Sequence, residues 1–417
     1  MTNSEKLIDA ITSHDFSSNQ ELLRKALESD SEADLAALAE QLTELGFTDL
    51  SRKVYEHLIK LSSANHDQYQ VYLAEIMLND GEDDQALEIL YAISETSDAY
   101  VDSLLVLADY YQMSGLIEPA MVKLETANRI KPHTAAIIFG LAELNYLAGN
   151  FQNARKYYEE LLTEQSYFGE VDLELRLFDC LAKMGEYEDA AKIVKEHEGS
   201  FLDIDSRYRA ALIFIQTGKY QEAVDYLEKI IEAQPDYVSA YPLLVDAYLK
   251  LNKDKDALKV AQLGLSYNDY DELLYADGAQ AAIHLGETKE AQELLEEGLK
   301  VNPDNQQMLV QLSDLNLKNH AYKENLDLLL PLEESERSPI VHWNLGASYN
   351  GLDQFEDAKS EYLAAWDALN DNPDYLKELL LLFINLGEKP ELIKQIIAKY
   401  QAIVPNDPEV EEILENL

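Results

Sequence analysis

Apolar residues along the chain recur at intervals of three and four positions, which is the spacing of one face of an α-helix. In the segment Val101–Met113, one face carries Leu104, Leu105, Ala108 and Tyr111. Segments of about twelve residues with this pattern alternate with segments of about fourteen, and no strand-like alternation interrupts them. The pattern predicts an all-α chain built from pairs of helices.

A short turn separates the two helices of each pair, and its residues repeat at a nearly constant period. Each turn contains a residue that tolerates a left-handed backbone, and a small residue, usually alanine, follows five positions later. Eleven such turn residues lie 33 to 36 residues apart: Gly46, Gly81, Gly115, Gly149, Gly185, Gly218, Asn252, Gly286, His320, Asp353 and Gly387. Because near-equal spacings cover most of the chain, we infer an internal repeat.

A helical pair of this size cannot bury its own apolar face, so neighbouring pairs must stack on one another. Prolines mark links between consecutive pairs, since a helix does not continue through proline; these are Pro132, Pro235, Pro303 and Pro405. The sequence therefore predicts an elongated helical array and not a set of separate globular cores.

The period and its small, aromatic and turn positions resemble the tetratricopeptide repeat (TPR) family. The best copy begins with Leu345, Gly346 and Tyr349 and continues with Asp353, Ala358, Tyr362 and Ala365. The resemblance covers residues 33–405, although the family's leading tryptophan is absent, and length and acidity are similar to those of YpiA-like TPR proteins. It implies a right-handed α-solenoid of about eleven TPR helical hairpins with helical caps.

The two ends of the chain have the pattern of terminal caps. Residues 1–32 predict N-terminal capping helices, with a capping box at Ser18 and Glu21, and residues 33–405 form the array. We expect an irregular joint near 165–204. Residues 406–417 predict a capping helix with Val410, Ile413, Leu414 and Leu417 on one face. A dimer contact is the alternative for this helix, and we expect a monomer in preference to a homodimer.

Composition limits the classes of partner. The 79 acidic residues against 33 lysines and arginines give a net charge of −46. Such a surface repels nucleic acids and anionic membranes, so we expect neither as a partner. The acidity favours either solubility or a basic partner, and these interpretations stay open. No apolar run has the length of a signal peptide or membrane span, which predicts a cytoplasmic protein.

We find no motif for catalysis, for a cofactor or for a metal. The sequence lacks a phosphate-binding glycine loop, a paired-histidine zinc motif and a nucleophile elbow. The single cysteine, Cys180, lies among apolar residues on a helical pattern and is expected to be a small core residue. We therefore expect a protein that is not an enzyme and that uses no cofactor.

The TPR resemblance implies that the first helix of each pair lines a concave groove that binds protein or peptide. Seven of the eleven residues six places before a turn residue are acidic: Glu40, Glu75, Asp109, Glu143, Asp179, Asp246 and Asp314. This carboxylate ladder either keeps the groove hydrated or recruits a basic segment. Neighbouring groove positions carry apolar side chains, among them Tyr146, Tyr208, Leu249 and Trp343, which predict anchoring of an apolar segment.

Two arginines depart from the acidic character of the groove. Arg176 and Arg209 occupy equivalent positions in consecutive repeats. Either they pair internally with the carboxylate ladder, or they form a local pocket for an acidic or carboxy-terminal group.

Two functions follow from the resemblance. The first is an intracellular scaffold or adaptor that binds protein partners with basic and apolar segments in its groove. The alternative is a peptide-responsive TPR regulator of the pheromone-receptor type, but residues 1–32 are too short and acidic for the effector domain that such regulators carry.

Overall fold

The computed structural model describes residues 1–415, which form two compact units, one of residues 1–201 and one that begins at Leu202. The boundary between the units follows Phe201, within the segment 165–204. Leu417, predicted on the apolar face of the last helix, lies outside the described residues.

The first unit contains twelve α-helices and one two-stranded hairpin. In chain order the elements are α1 (Asn3–Thr12), α2 (Asn19–Ser29), α3 (Glu32–Glu44), α4 (Thr48–Leu61), α5 (His66–Asn79), α6 (Asp83–Ala92), α7 (Tyr100–Met113), α8 (Ile117–Ile130), α9 (Ala135–Leu147), α10 (Phe151–Leu162), β1 (Tyr167–Phe168), β2 (Val171–Asp172), α11 (Leu173–Met184) and α12 (Tyr187–Glu196). Helices α3 to α12 form five consecutive hairpins.

The second unit contains six further hairpins and a final helix. Its elements are α13 (Ile204–Gln216), α14 (Tyr220–Ala233), α15 (Ala240–Lys250), α16 (Asp254–Tyr267), α17 (Glu272–Leu285), α18 (Thr288–Val301), α19 (Gln306–Lys318), α20 (Tyr322–Leu329), α21 (Pro339–Gly351), α22 (Phe355–Leu369), α23 (Pro373–Asn385), α24 (Pro390–Ile403) and α25 (Pro408–Glu415). The predicted all-α hairpin array is confirmed.

All eleven predicted turn residues have positive φ, including the non-glycine residues Asn252, His320 and Asp353. The residue after the turn residue donates its backbone N–H to the carbonyl five positions earlier, as Glu82 does to Met77 at 2.8 Å. This bond satisfies a carbonyl at the end of the first helix and reverses the chain. The turn residues therefore set the boundary between the two helices of every hairpin.

The small residue five positions after the turn lets the two helices approach closely. Ala86, Ala154 and Ala358 are fully buried at this position. Where the alanine is missing, Ser51 is also fully buried and donates its hydroxyl to the carbonyl of Ala39 at 2.7 Å. At the last copy the pattern fails, because Leu392 is 39% exposed.

Ion pairs at periodic positions connect the second helix of one hairpin with the start of the second helix of the next. Arg52 binds Glu82 at 2.5 Å, and Arg155 binds Glu186 at 2.6 Å. Each arginine lies six places after a turn residue, and each glutamate directly follows the next turn residue. The repeat period therefore places polar as well as apolar contacts in register.

Two local predictions are wrong. Ser18 makes no side-chain cap bond, because its backbone (φ −109°, ψ 2°) is not extended. The capping boxes are instead Thr2 with Glu5 and Ser31 with Asp34. The predicted absence of strands also fails at the hairpin of β1 and β2, whose two-residue strands are too short to produce a visible alternation.

No helix within residues 1–415 has the length and apolar character needed to cross a membrane.

Candidate partner-binding face

The first helices of successive hairpins form one face of each unit, which we call the first-helix face. In the first unit it is formed by α3, α5, α7, α9 and α11, and α5 packs directly beside α7. We number positions from the turn residue of each repeat, so that Glu40, six residues before Gly46, occupies position −6. Position −9 lies about one helical turn before it and therefore on the same side of the helix.

Position −6 of one repeat meets position −9 of the next. Arg176 Nη2 lies 3.1 Å from Glu143 Oε2, and Asn344 Nδ2 lies 2.9 Å from Asp314 Oδ1. Both pairs join a −6 acid to the −9 residue of the following repeat. The side chain at position −9 therefore decides whether the preceding acid is paired.

Glu143 and Arg176 form the centre of a small polar cluster on the first-helix face. The Tyr158 hydroxyl donates to Glu143 Oε1 at 2.6 Å, and the Arg176 guanidinium lies over the Tyr146 ring at 5.6 Å from its centroid. Burial, followed by the bond to Glu143, raises the pKa of Tyr158. The structure therefore places three of the predicted residues, Glu143, Arg176 and Tyr146, in one internally paired cluster.

In the second unit, one meeting of position −6 with position −9 brings two acids together. Asp246 at −6 on α15 faces Asp277 at −9 on α17, and burial followed by the Asp246 charge raises the pKa of Asp277 to about 6. Lys250 lies 3.7 Å from Asp246, and its charge offsets only part of the rise in the pKa of Asp277. Sequence reasoning overlooked Asp277, although its spacing from a ladder acid identifies it once position −9 is considered.

Glu40, Glu75 and Asp109 are exposed at position −6 of the first three repeats. No lysine, arginine or histidine among residues 1–415 forms an ion pair with any of them. Two effects raise the pKa of Glu75: neighbouring protein atoms desolvate its carboxylate, and the charge of Asp109 repels it. These three acids are the part of the ladder whose charge is not compensated within the described chain.

Asp179 and Arg209 are half-buried. Asp179 belongs to the first unit and Arg209 to the second, and each interacts with other groups of the chain. Arg176 pairs internally with the carboxylate ladder through Glu143 on the preceding first helix.

The four predicted apolar anchors are half-buried. Tyr146 packs edge-on against Phe151, Tyr208 packs against Tyr237, and Leu249 contacts the core of the second unit. Trp343 donates its Nε1–H to a carboxylate oxygen of Glu378 at 2.8 Å. Most of each side chain is therefore used within the fold, and the expected surplus of exposed apolar surface is small at these positions.

Cys180 is fully buried, and burial raises the pKa of its thiol to about 12. The expectation of a core residue is confirmed, because a thiol in this state is a poor nucleophile.

A cavity of about 560 Å³ opens on the first-helix face between α3 and α5. Three tyrosine rings, Tyr55, Tyr69 and Tyr72, line it together with Glu40 and Glu75. The ring centroids of Tyr55 and Tyr72 are 5.5 Å apart, and those of Tyr55 and Tyr69 are 6.3 Å apart. Sequence reasoning identified the two acids but not the three rings, because Tyr55 lies on a second helix and Tyr69 and Tyr72 lie at positions −12 and −9, away from the ladder position.

Within residues 1–415, no group of three or more histidine, cysteine, aspartate or glutamate side chains is placed to hold a metal ion.

Family models match four parts of the chain. Residues 339–407 match YpiA-like, C-terminal tetratricopeptide repeats, and residues 112–166 match YpiA-like, tetratricopeptide repeats. Residues 274–305 match a general tetratricopeptide repeat, and residues 144–259 match the ARM repeat of tetratricopeptide repeat protein 21.

The TPR repeat-containing protein YpiA of Bacillus subtilis (strain 168) is 30% identical over 352 residues, covering 82% of this chain and 83% of that protein. Anaphase-promoting complex subunit 7 of Dictyostelium discoideum is 28% identical over 164 residues, covering 39% of this chain and 28% of that protein. The solved structure of Naa15/Naa10 bound to HypK-THB aligns with a TM-score of 0.47 and 14% identity, covering 91% of this chain and 64% of that chain. Because the identity to YpiA extends over most of both proteins, this chain belongs to the YpiA-like family of tetratricopeptide repeat proteins.

Proposed function

We propose that the protein is an intracellular TPR scaffold that binds basic segments of partner proteins along its first-helix face. The observation that carries this proposal is the row of exposed acids Glu40, Glu75 and Asp109, which have no cationic partner among residues 1–415. Like charges held on adjacent helices repel one another, and after burial the charge of Asp109 is the second cause that raises the pKa of Glu75. A basic segment laid along this face relieves that repulsion.

Half-buried side chains supply apolar contact on the first-helix face of each unit, Tyr146 in the first unit and Tyr208, Leu249 and Trp343 in the second. Each has part of its surface open to solvent, which is sufficient for an apolar residue of the partner to pack against it. Arg176 is excluded from a primary role in this proposal, because Glu143 already pairs with it. The proposal therefore places cations of a partner on the first three repeats, and it places apolar side chains of partners at the anchors of each unit separately.

The proposal extends to the organisation of the chain. Helices α1 and α2 cap the array at one end, and α25 caps it at the other, where Val410 is fully buried against the last hairpin. Val410 and Ile413 pack against the last hairpin, which leaves Leu414, at 38% exposure, as the large apolar side chain of α25 that a second copy of the chain could reach. We therefore propose a monomer that needs neither a cofactor nor a catalytic site.

Affinity capture from native cells tests the function. We expect capture of partners by the wild-type protein to fall steeply between about 50 and 300 mM salt, since charges in solvent are screened over roughly 10 Å at 0.1 M. The variant Glu75→Gln with Asp109→Asn should lose the same partners at low salt. The charge-matched variant Glu293→Gln with Glu324→Gln changes exposed acids of the second unit and should retain them.

Equal capture by the groove variant and by the charge-matched variant would remove the basis of the proposal. Circular dichroism of both variants verifies that the helices are intact.

A further inference from the structure

The contacts of Glu143 show how the first-helix face holds a cation. Glu143 at position −6 accepts hydrogen bonds from Arg176 of the next repeat and from Tyr158 on its own second helix, at 3.1 and 2.6 Å. The guanidinium also lies over the Tyr146 ring. A carboxylate, a tyrosine hydroxyl and an aromatic face therefore surround one positive group.

The same positions in the first and second repeats carry most of these groups without the cation. Glu40 at −6 corresponds to Glu143, and Tyr55, nine residues after its turn residue, corresponds to Tyr158. Tyr72 at −9 takes the place of Arg176. This exchange replaces a guanidinium by an aromatic ring, and the cavity between α3 and α5 lies at that point.

Polar groups in this cavity are left without partners. Tyr55 is only 5% exposed, yet its hydroxyl has no hydrogen-bond partner within residues 1–415, whereas the hydroxyl of Tyr158 binds Glu143. The negative charges of Glu40 and Glu75 act on Tyr55 from two sides of the cavity. Burial holds the Tyr55 side chain in place while its unpaired hydroxyl stays open to the cavity, so a ligand bound there can form a hydrogen bond with it.

We propose that this cavity binds an arginine side chain from a basic segment of a partner protein. The inference rests on the proposed function and specifies the chemistry recognised at one end of the acidic row. A guanidinium fits because it stacks on tyrosine rings and donates several hydrogen bonds in one plane, here to Glu40 and Glu75. Lysine carries the same charge, but its compact and strongly hydrated ammonium stacks less well.

The experiment uses a fluorescein-labelled glycine–serine peptide that contains three arginines, with binding measured by fluorescence anisotropy. Two matched peptides carry citrulline or lysine in place of arginine. Citrulline has nearly the shape of arginine but no charge, so we expect it to bind at least about tenfold more weakly. Lysine should bind with intermediate affinity, because it retains the charge but loses the planar contact.

Two variants locate the peptide in the cavity. Glu40→Gln should weaken binding of the arginine peptide by about fivefold or more, while the charge-matched Glu293→Gln leaves it unchanged. Tyr72→Arg recreates the arrangement of Arg176 and Glu143, so the new side chain should pair with Glu40 and occupy the cavity. This variant should abolish binding and raise the melting temperature, whereas Tyr270→Arg at a 75% exposed position should do neither.

The proposal is overturned by equal binding of the arginine and citrulline peptides, or by equal affinities of the Glu40→Gln and Glu293→Gln proteins. If Tyr72→Arg fails to fold, the Glu40→Gln comparison still decides, because Glu40 is exposed and makes no contact that the fold needs. Failure of the broader function is read from a different assay: Glu75→Gln with Asp109→Asn then captures native partners normally, while the wild-type protein still prefers the arginine peptide to the citrulline peptide.

Discussion

Replacing Asp277 by asparagine should stabilise the second unit at neutral and alkaline pH. The pKa of Asp277 is raised from 3.8 to about 6 in the folded protein, first by burial and then by the charge of Asp246. The folded state therefore binds the proton more tightly than the unfolded state. Stability is lost as pH rises between these two values, and the full cost of the ionised carboxylate is present above both.

The shift sets the size of the effect. A difference of about two pKa units corresponds to roughly 3 kcal/mol at pH 8, and about half of this remains at pH 5, where Asp277 is largely protonated in the folded state. Asparagine removes the charge and keeps the shape. The weak bond from Gln307, at 3.5 Å, contributes little to either form. These values are upper limits, because the side chain is only half-buried.

Urea denaturation followed by circular dichroism at pH 5, 6, 7 and 8 measures the effect without added salt. We expect a higher midpoint for Asp277→Asn at pH 8 and a gain that shrinks towards pH 5. Glu293→Gln serves as the control for the loss of one negative charge from an exposed position. A gain that is independent of pH, or no larger than that of the control, would refute the assignment of the cost to Asp277.

Three further outcomes follow from the contacts. Arg176→Ala should destabilise the first unit by about 1–2 kcal/mol, because it leaves Glu143 largely buried and unpaired; a double-mutant cycle with Glu143→Gln measures the coupling, and an additive cycle would contradict the pairing. Asp353→Gly should stabilise by about 0.5–1 kcal/mol in urea denaturation, since glycine adopts φ +60° without strain; a loss would mean that the aspartate side chain holds the turn. Iodoacetamide should modify Cys180 only after unfolding, as followed by mass spectrometry; rapid modification of the native protein would show that the core around α11 opens.

The hairpin array could be predicted because its determinants are local. A residue such as Gly81 needs only its own backbone conformation to end a helix, and Ala86 needs only its small size to let two helices meet. The terminal cap at Ser18 was predicted wrongly, since a serine followed by glutamate does not reveal whether the backbone before the helix is extended. Ser31 has that backbone and forms the bond.

The candidate face could be predicted only in part. The acids at position −6 are visible as a series, but their state depends on a residue some thirty positions later. Glu143 is paired because Arg176 occupies position −9 of the next repeat. Glu40 is unpaired because Tyr72 occupies that position in the repeat that follows it. Neither outcome appears in the hydrophobic pattern, because Glu143, Arg176 and Glu40 are polar residues and the pattern does not show which of them pair across two repeats.

The meeting of position −6 with position −9 makes the junction between two repeats, and not the repeat itself, the element that carries binding specificity. If the second repeat were deleted, the remaining repeats would keep their turn residues and their buried alanines. Glu40 would then lie next to Val106, the −9 residue of the third repeat, in place of Tyr72. Duplication, loss or exchange of whole repeats therefore creates new recognition chemistry at the seam while each participating hairpin stays unaltered.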